Sequence, residues 1–325
     1  MSNYLLTGAG FSRNWGGWLA SEAFAYLLGC SGLPAEIRSL LWKHQSGFGF
    51  EGVYQELRDN AGASPRAKEH FRFFNEMVVG MFFIMQQRFP RQNFAEPIVR
   101  FLARFDAIFT LNQDTLLEGH YFNHGMDDRI RQTSGGRFLG GDIPGLRSLD
   151  DKIAFPGRFA PDTEFKLMER HQPYYKLHGS CNWVAQEGGD YVLILGGDKE
   201  KDINRFPLLR WNYNQFRDAL ITPDAKIVII GYGFADEHIN DLLVDGTKHG
   251  LCIFLVDPAG ANVLDKRPRD RWKELPPTDL MQTLQPTLDG FSNRNLLQTI
   301  QNDQIEFSKI DRFLNEWPFT PSVMI

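Results

Sequence analysis

Asn3-Tyr4-Leu5-Leu6-Thr7-Gly8-Ala9-Gly10-Phe11-Ser12 opens the chain, and its reading decides the fold. Residues 4–7 form a short apolar run that passes directly into a turn of small residues. Such a run, apolar on successive positions, fits a strand buried on both faces of a parallel sheet. A glycine turn at its end lets backbone N–H groups approach a phosphate, and a following helix adds its positive end. The full G-x-G-x-x-G is absent, so Gly8, Ala9 and Gly10 also read as a tight turn with no ligand. Ser12 stands where a hydroxyl would add a contact.

Working outward, residues 107–111, 174–177, 226–230 and 252–256 repeat the pattern of a short apolar run ended by turn residues. Helical spacing lies between most of them, which predicts a doubly wound α/β fold. Leu19, Ala23, Tyr26 and Leu27 keep helical spacing, with Gly29 as the stop. Ser64-Pro65 reads as an N-cap and first-turn proline, followed by a stripe of Phe71, Phe74, Val78, Met81, Phe82 and Met85. Asp236 is expected to cap a helix carrying Ile239, Leu242 and Leu243 and ending at Gly246; Ser308 is expected to cap the last helix. The organisation is a main domain over 1–260, with a helical insertion at about 19–100, and a loop and helical extension over 261–325.

The chain has 325 residues, 42% of them hydrophobic, and its 27 phenylalanines supply a substantial core. A net charge of −5 argues against nonspecific nucleic-acid binding through the whole surface. Arg210, Lys266, Arg267, Arg269 and Arg271 read as a local basic patch or, more simply, as solvated loop. Cys30, Cys181 and Cys252 are widely separated and form no CxxC. That leaves no four-cysteine zinc site and no disulfide framework, and fits a reducing cytoplasm. No signal-peptide pattern precedes the first strand, and the longest apolar run, 77–85, is too short to span a bilayer.

The candidate site residues sit at the ends of the expected strands, the edge where open α/β sheets bind ligands. Thr110-Leu111-Asn112-Gln113-Asp114 closes the second run. The Asn112 amide offers both a donor and an acceptor for a sugar hydroxyl or a water; Asp114 orients its surroundings or caps the helix beginning at Thr115. His178 follows the third run and precedes Gly179. It reads as a general base if it meets Asn112 across a cleft, and otherwise as a structural histidine. Gly231 opens a second strand-to-glycine turn, and Asp257 stands at a further strand edge, where it accepts from a ribose hydroxyl or shapes the turn before Pro258.

In this order the segments resemble the sirtuin family, and specifically its bacterial sirtuin-like branch. The GAG-x-S turn is matched by Gly8-Ala9-Gly10-Phe11-Ser12, the T-x-N-x-D segment by Thr110, Asn112 and Asp114, and the HG pair by His178-Gly179. Gly231 stands in order for the later nucleotide turn and Asp257 for the adenosine end. Three features depart from protein-deacylating sirtuins. Cys181 is the only cysteine between residues 31 and 251, so the zinc ribbon is missing or replaced; Leu111 replaces a glutamine; and no Pro-Asp-Arg follows Gly16-Gly17-Trp18.

The resemblance therefore implies the zinc-less, sirtuin-like NAD hydrolases of antiphage defence. It implies a Rossmann-like sheet, NAD as substrate, no zinc or other metal, and cleavage to nicotinamide and ADP-ribose. Asn112 and His178 would be catalytic; Gly8, Ala9, Gly10, Ser12, Asp114, Gly231 and Asp257 would bind the dinucleotide. It also implies a cytoplasmic homo-oligomer with a HerA-type ATPase or another defence protein as partner, and no membrane or direct nucleic-acid contact. The alternatives are a zinc-free deacylase or ADP-ribosyltransferase, and an inert nucleotide-binding scaffold.

Overall fold

Consecutive residues of the central strands enter two different cores. Leu5, Ile108, Tyr174, Val228 and Phe254 join one buried cluster, and their neighbours Leu6, Phe109, Tyr175, Ile229 and Leu255 join the other. This two-sided burial is why the runs are apolar without alternation. The computed structural model describes residues 2–89, 94–121, 126–149, 157–185, 191–267 and 276–315.

In chain order the strands are β1 (Asn3–Thr7), β2 (Ala107–Thr110), β3 (Gly140–Asp142), β4 (Leu146–Ser148), β5 (Phe159–Pro161), β6 (His171–Lys176), β7 (Gly179–Val184), β8 (Tyr191–Leu193), β9 (Lys226–Ile230), β10 (Cys252–Val256) and β11 (Leu288–Ser292). Seven of them form one sheet in the order β11-β10-β9-β1-β2-β6-β3, with every pairing parallel. A smaller four-stranded sheet runs β4-β5-β7-β8. The main sheet is doubly wound, and its order reverses between β1 and β9.

Helices cover both faces. On one lie Ala20–Leu28, Ala35–His44, Gly49–Asn60, Pro65–Arg88 and Glu96–Leu102, the helical insertion expected between the first two strands. On the other lie Pro207–Leu220, Glu237–Lys248 and Asp279–Leu284. Ser64 caps Pro65–Arg88 by accepting from Ala67 N–H, with Pro65 at the first helical position. No helix among the described residues is long and apolar enough to cross a membrane.

Several expected boundaries move. β2 stops at Thr110 and β6 spans His171–Lys176, so Leu111 and Leu177 lie just beyond the strands. The helix after Asp236 runs on to Lys248 through Gly246, and the Asp236 side chain does not cap it, being taken by Lys199. The last helix, Gln304–Asn315, begins before Ser308; Asp303 Oδ1 accepts from Ile305 and Glu306 N–H, while Ser308 donates to Ile305 O inside the helix. In the expected basic patch, Arg267 is tied to Asp265 at 2.6 Å, and Arg269 and Arg271 lie outside the described residues.

One register row sets the site. Lys176 pairs with Thr110, Thr110 with Thr7, Thr7 with Ile230, Ile230 with Val256 and Val256 with Ser292. The segments that leave this row at the carboxyl edge of the sheet carry His178, Asn112, Gly8, Gly231 and Asp257.

Candidate functional site

The first wall of the site is backbone. Gly8 N–H donates to Ile230 O at 3.0 Å, and Gly10 N–H to Gly231 O at 2.9 Å. A Cβ on Gly8 would lie 2.6 Å from Gly231 O, one on Gly10 2.6 Å from Gly231 Cα, and one on Gly231 2.4 Å from Gly10 Cα. Gly231 also has φ +60°, a conformation that glycine adopts without penalty. The three glycines therefore interlock two strand-to-turn junctions at the reversal point. This changes the expected use of their amides. Two of the three turn N–H groups are committed to the junction, and that of Ala9 has no hydrogen-bond partner among the described residues.

Asn112 is 8% exposed and faces this turn. Its Nδ2 donates to Gly8 O and to Ser12 Oγ, each at 3.0 Å, and its backbone N–H donates to Thr110 Oγ1 at 3.1 Å. Thr7 Oγ1 in turn donates to Thr110 Oγ1 at 2.8 Å. With Nδ2 committed, Oδ1 is the half of the carboxamide left to accept a hydrogen bond. Asp114 is buried behind it, and Oδ1 accepts from Leu116 N–H at 3.0 Å at the start of helix Leu116–Tyr121. Burial raises the Asp114 carboxyl above its ordinary range, against the pull of the Lys176 ammonium. Lys176 and Glu118 are themselves fully buried 3.4 Å apart, and Lys176 Nζ donates to Asp114 O and Ser180 Oγ.

The second wall is side chain. His178 lies in the turn between β6 and β7, where Gly179 has φ +74°. A Cβ on Gly179 would fall 1.9 Å from Val192 O, so β8 can pass only because the residue after His178 is glycine. His178 is 2% exposed, and its Nε2 sits 3.0 Å from Nε2 of His238. Burial pushes the His178 imidazole down to about 3, and burial also lowers His238. Next to them, Asp236 pairs with Lys199 Nζ at 2.6 Å, and the same ammonium pairs with Glu51 at 2.9 Å. Burial opposes the charge on Asp236, but His178 and Lys199 hold its carboxyl below the ordinary range. Phe234, with φ +50°, bends the loop that delivers Asp236, and Asn240 Nδ2 holds its carbonyl at 3.1 Å.

Both walls border one cavity of about 840 Å³, the size of a ligand cleft. Gly8, Ala9, Gly10, Asn112, His178, Gly231 and Asp257 all line it; Ser12 and Asp114 are buried and do not, Ser12 reaching it only through Asn112. Asp257 Oδ1 accepts from Ala259 N–H at 2.8 Å, so its turn-forming role is present, and burial raises its carboxyl. Glu51, Lys199, Asp236 and Arg13 also line the cavity and were not among the expected site residues. Neither was His238. Its signal in the sequence is only a polar helix start, Asp236-Glu237-His238. Asn295 and Leu296 close the cavity from the C-terminal segment. Arg13 pairs with Glu22 at 2.8 Å and is half-exposed, a cation available to an anionic ligand.

The donor atoms of His178, Asp236 and His238 lie within 4.8 Å of one another, the reach of a metal ion. Asp236 is nevertheless engaged by Lys199, and the two imidazoles are at hydrogen-bond separation. The site can hold an extended, partly anionic molecule along the glycine junction, with an amide oxygen and a neutral imidazole at one end.

The model of the SIR2-like domain family matches residues 106–273. No curated protein matches the chain. Among solved structures, the chain is similar to one described as "Structural Basis for the Mechanism and Regulation of Sir2 Enzymes", at 13% identity, 97% coverage of this chain, 94% of the other, and TM-score 0.43. A second is an ADP-ribose complex of a mutant Sir2 homologue, also at 13% identity, with 97% and 94% coverage and TM-score 0.42. A third is Sir2Tm bound to a propionylated peptide, at 11% identity, 95% and 94% coverage and TM-score 0.38.

Proposed function

This chain belongs to the SIR2-like domain family, and from that premise we propose that it is an NAD⁺ glycohydrolase, cleaving the nicotinamide–ribose bond to give nicotinamide and ADP-ribose. The observation that carries the reading is that Asn112 and His178 border one cavity, with the Gly8, Ala9 and Gly10 turn and Asp257 on the same rim. The carboxamide oxygen of Asn112 is free to accept from a ribose hydroxyl or a water. His178 is neutral at physiological pH and so able to accept a proton.

In this scheme the pyrophosphate lies along the glycine junction, near the Ala9 N–H and Arg13. The adenosine ribose faces Asp257. At the other end the C1′–N bond breaks and its electron pair passes to the nicotinamide ring nitrogen. A water, held by Asn112 Oδ1, bonds to C1′ and gives its proton to His178. A positioned base of this kind contributes about 10²- to 10⁴-fold. Ser12 and Asp114 act behind the wall: Ser12 fixes the Asn112 amide, and Asp114 fixes the start of helix Leu116–Tyr121. We further propose, on the resemblance described above, that NAD depletion serves antiphage defence in a cytoplasmic homo-oligomer, with a HerA-type ATPase or another defence protein as partner.

The test is chromatographic detection of nicotinamide and ADP-ribose from NAD with purified protein, beside Asn112→Ala and His178→Ala whose folding is checked by circular dichroism. Each variant is expected to lose about 10²- to 10⁴-fold. Full turnover in both folded variants overturns the assignment. Appearance of O-acetyl-ADP-ribose from an acetyl-lysine peptide, with no free ADP-ribose, would favour the deacylase instead.

A further inference from the structure

The buried pair formed by His178 and His238 poses a chemical question that the hydrolase reading leaves open. Their Nε2 atoms are 3.0 Å apart, both side chains are buried, and His178 borders the cavity with His238 behind it. Two neutral imidazoles can share such a contact only if one Nε2 carries a proton and the other presents its lone pair. If His238 donates, His178 holds its proton on Nδ1 and has no lone pair left for a substrate proton. If His238 accepts, His178 holds its proton on Nε2, and Nδ1 is the basic atom.

We propose that His238 is a positioning residue that accepts the His178 Nε2–H, thereby fixing the tautomer in which His178 Nδ1 can take up a proton. The direction rests on the base role proposed for His178: with Nε2 engaged by His238, only the Nε2–H tautomer leaves it a lone pair, on Nδ1, for a substrate proton. His238 is itself held in place: Tyr213 OH donates to its backbone carbonyl at 3.2 Å, and the Tyr213 ring lies 6.1 Å from the imidazole. When Nδ1 gains a proton, the His178 Nε2–H to His238 Nε2 bond becomes charge-assisted and strengthens. The Asp236 carboxylate, kept ionised beside Lys199, balances the new positive charge. Lys199 opposes that charge and is itself offset by Glu51; Asp198 and Asp241 add negative potential around His238. Asp236 thus favours protonation of His178, against burial, Lys199 and His238.

The choice of direction and the kinetic arm rest on the hydrolase reading, whereas the tautomer is measured independently of turnover. The direct test is ¹⁵N-histidine NMR of the full chain, which reports which ring nitrogen carries the proton. Wild-type His178 is expected to be the Nε2–H tautomer. His238→Gln, whose carbonyl can still accept, is expected to retain it; His238→Phe is expected to give a mixture. An Nδ1–H tautomer in the wild type, or an unchanged tautomer in His238→Phe, overturns the proposal whether or not the protein cleaves NAD. In the NAD assay, His238→Phe is expected to lower kcat about 100-fold with KM little changed, and His238→Gln to restore most of it. If His178→Ala abolishes turnover while His238→Phe leaves it intact, the positioning role fails and the hydrolase reading stands.

Discussion

The two walls of the cavity are built on opposite principles. The glycine wall is made of main chain, with the Gly8 and Gly10 amides already paired and no room for an added carbon on Gly8, Gly10 or Gly231. The histidine wall is made of side chains from four separate segments, carrying His178, Lys199, Asp236 and Glu51, with His238 behind His178, and all of them are charged or titratable. One wall is rigid and indifferent to pH. The other stores electrostatic conflict, with two imidazoles kept neutral beside an ion pair. The difference teaches that shape and chemistry are assigned to separate parts of this site, so each can be broken separately.

The largest effect should come from the rigid wall. Gly231→Ala places a Cβ 2.4 Å from Gly10 main-chain atoms at a positive φ. We expect a loss of about 3 kcal/mol or more, from backbone strain and overpacking together, read as a fall in thermal midpoint. Gly233→Ala, where an added Cβ meets nothing within 4 Å, should be close to neutral and serves as the control. Equal effects at both positions would show that the junction is not interlocked.

The histidine wall should respond to pH instead. Burial holds the His178 imidazole near 3 in the folded chain, against an ordinary 6.5. As pH falls below the ordinary value, the unfolded chain takes up the proton first, so stability drops through this window and is recovered as pH rises. By pH 4.5 the loss from this residue should be on the order of 2–3 kcal/mol. Denaturant titrations of wild type and His178→Gln at pH 7 and pH 4.5 should show a smaller acid loss in the variant. Parallel losses would mean that His178 is not the group that titrates.

The smallest effect should lie where the walls meet. Ser12→Ala removes the oxygen that accepts from Asn112 Nδ2, in a position only 2% exposed. The expected cost is about 1–2 kcal/mol, with reduced NAD turnover and little change in the pH dependence. A variant that lost its pH response would link the two walls more closely than their separate hydrogen bonds indicate.

The strands 226–230 and 252–256, the helical insertion and the Ser64-Pro65 helix start were legible because each depends on local pattern: apolar runs, helical spacing and a capping pair. β3 and β11 were not, since Gly140-Gly141-Asp142 and Leu288-Asp289-Gly290-Phe291-Ser292 contain residues that disfavour strands. They form at the two edges of the sheet, where a single paired neighbour organises them. Asp236 reads as a helix cap from its position, yet Lys199, which is distant in sequence, claims its carboxylate. The C-terminal segment likewise gave no hint that Asn295 and Leu296 border the cavity.

By itself, the sequence determined the doubly wound sheet, the glycines at its turns and the residues leaving its carboxyl edge, because strand burial and turn sterics are properties of neighbouring residues. Only the tertiary structure decided that Gly8 and Gly10 lock against Gly231, that Asn112 is left with its oxygen to offer, and that His178 faces a second histidine. Those relations depend on parallel register between strands far apart in sequence, β1 pairing with β2 103 residues on and with β9 223 residues on, across connections that only tertiary packing orders.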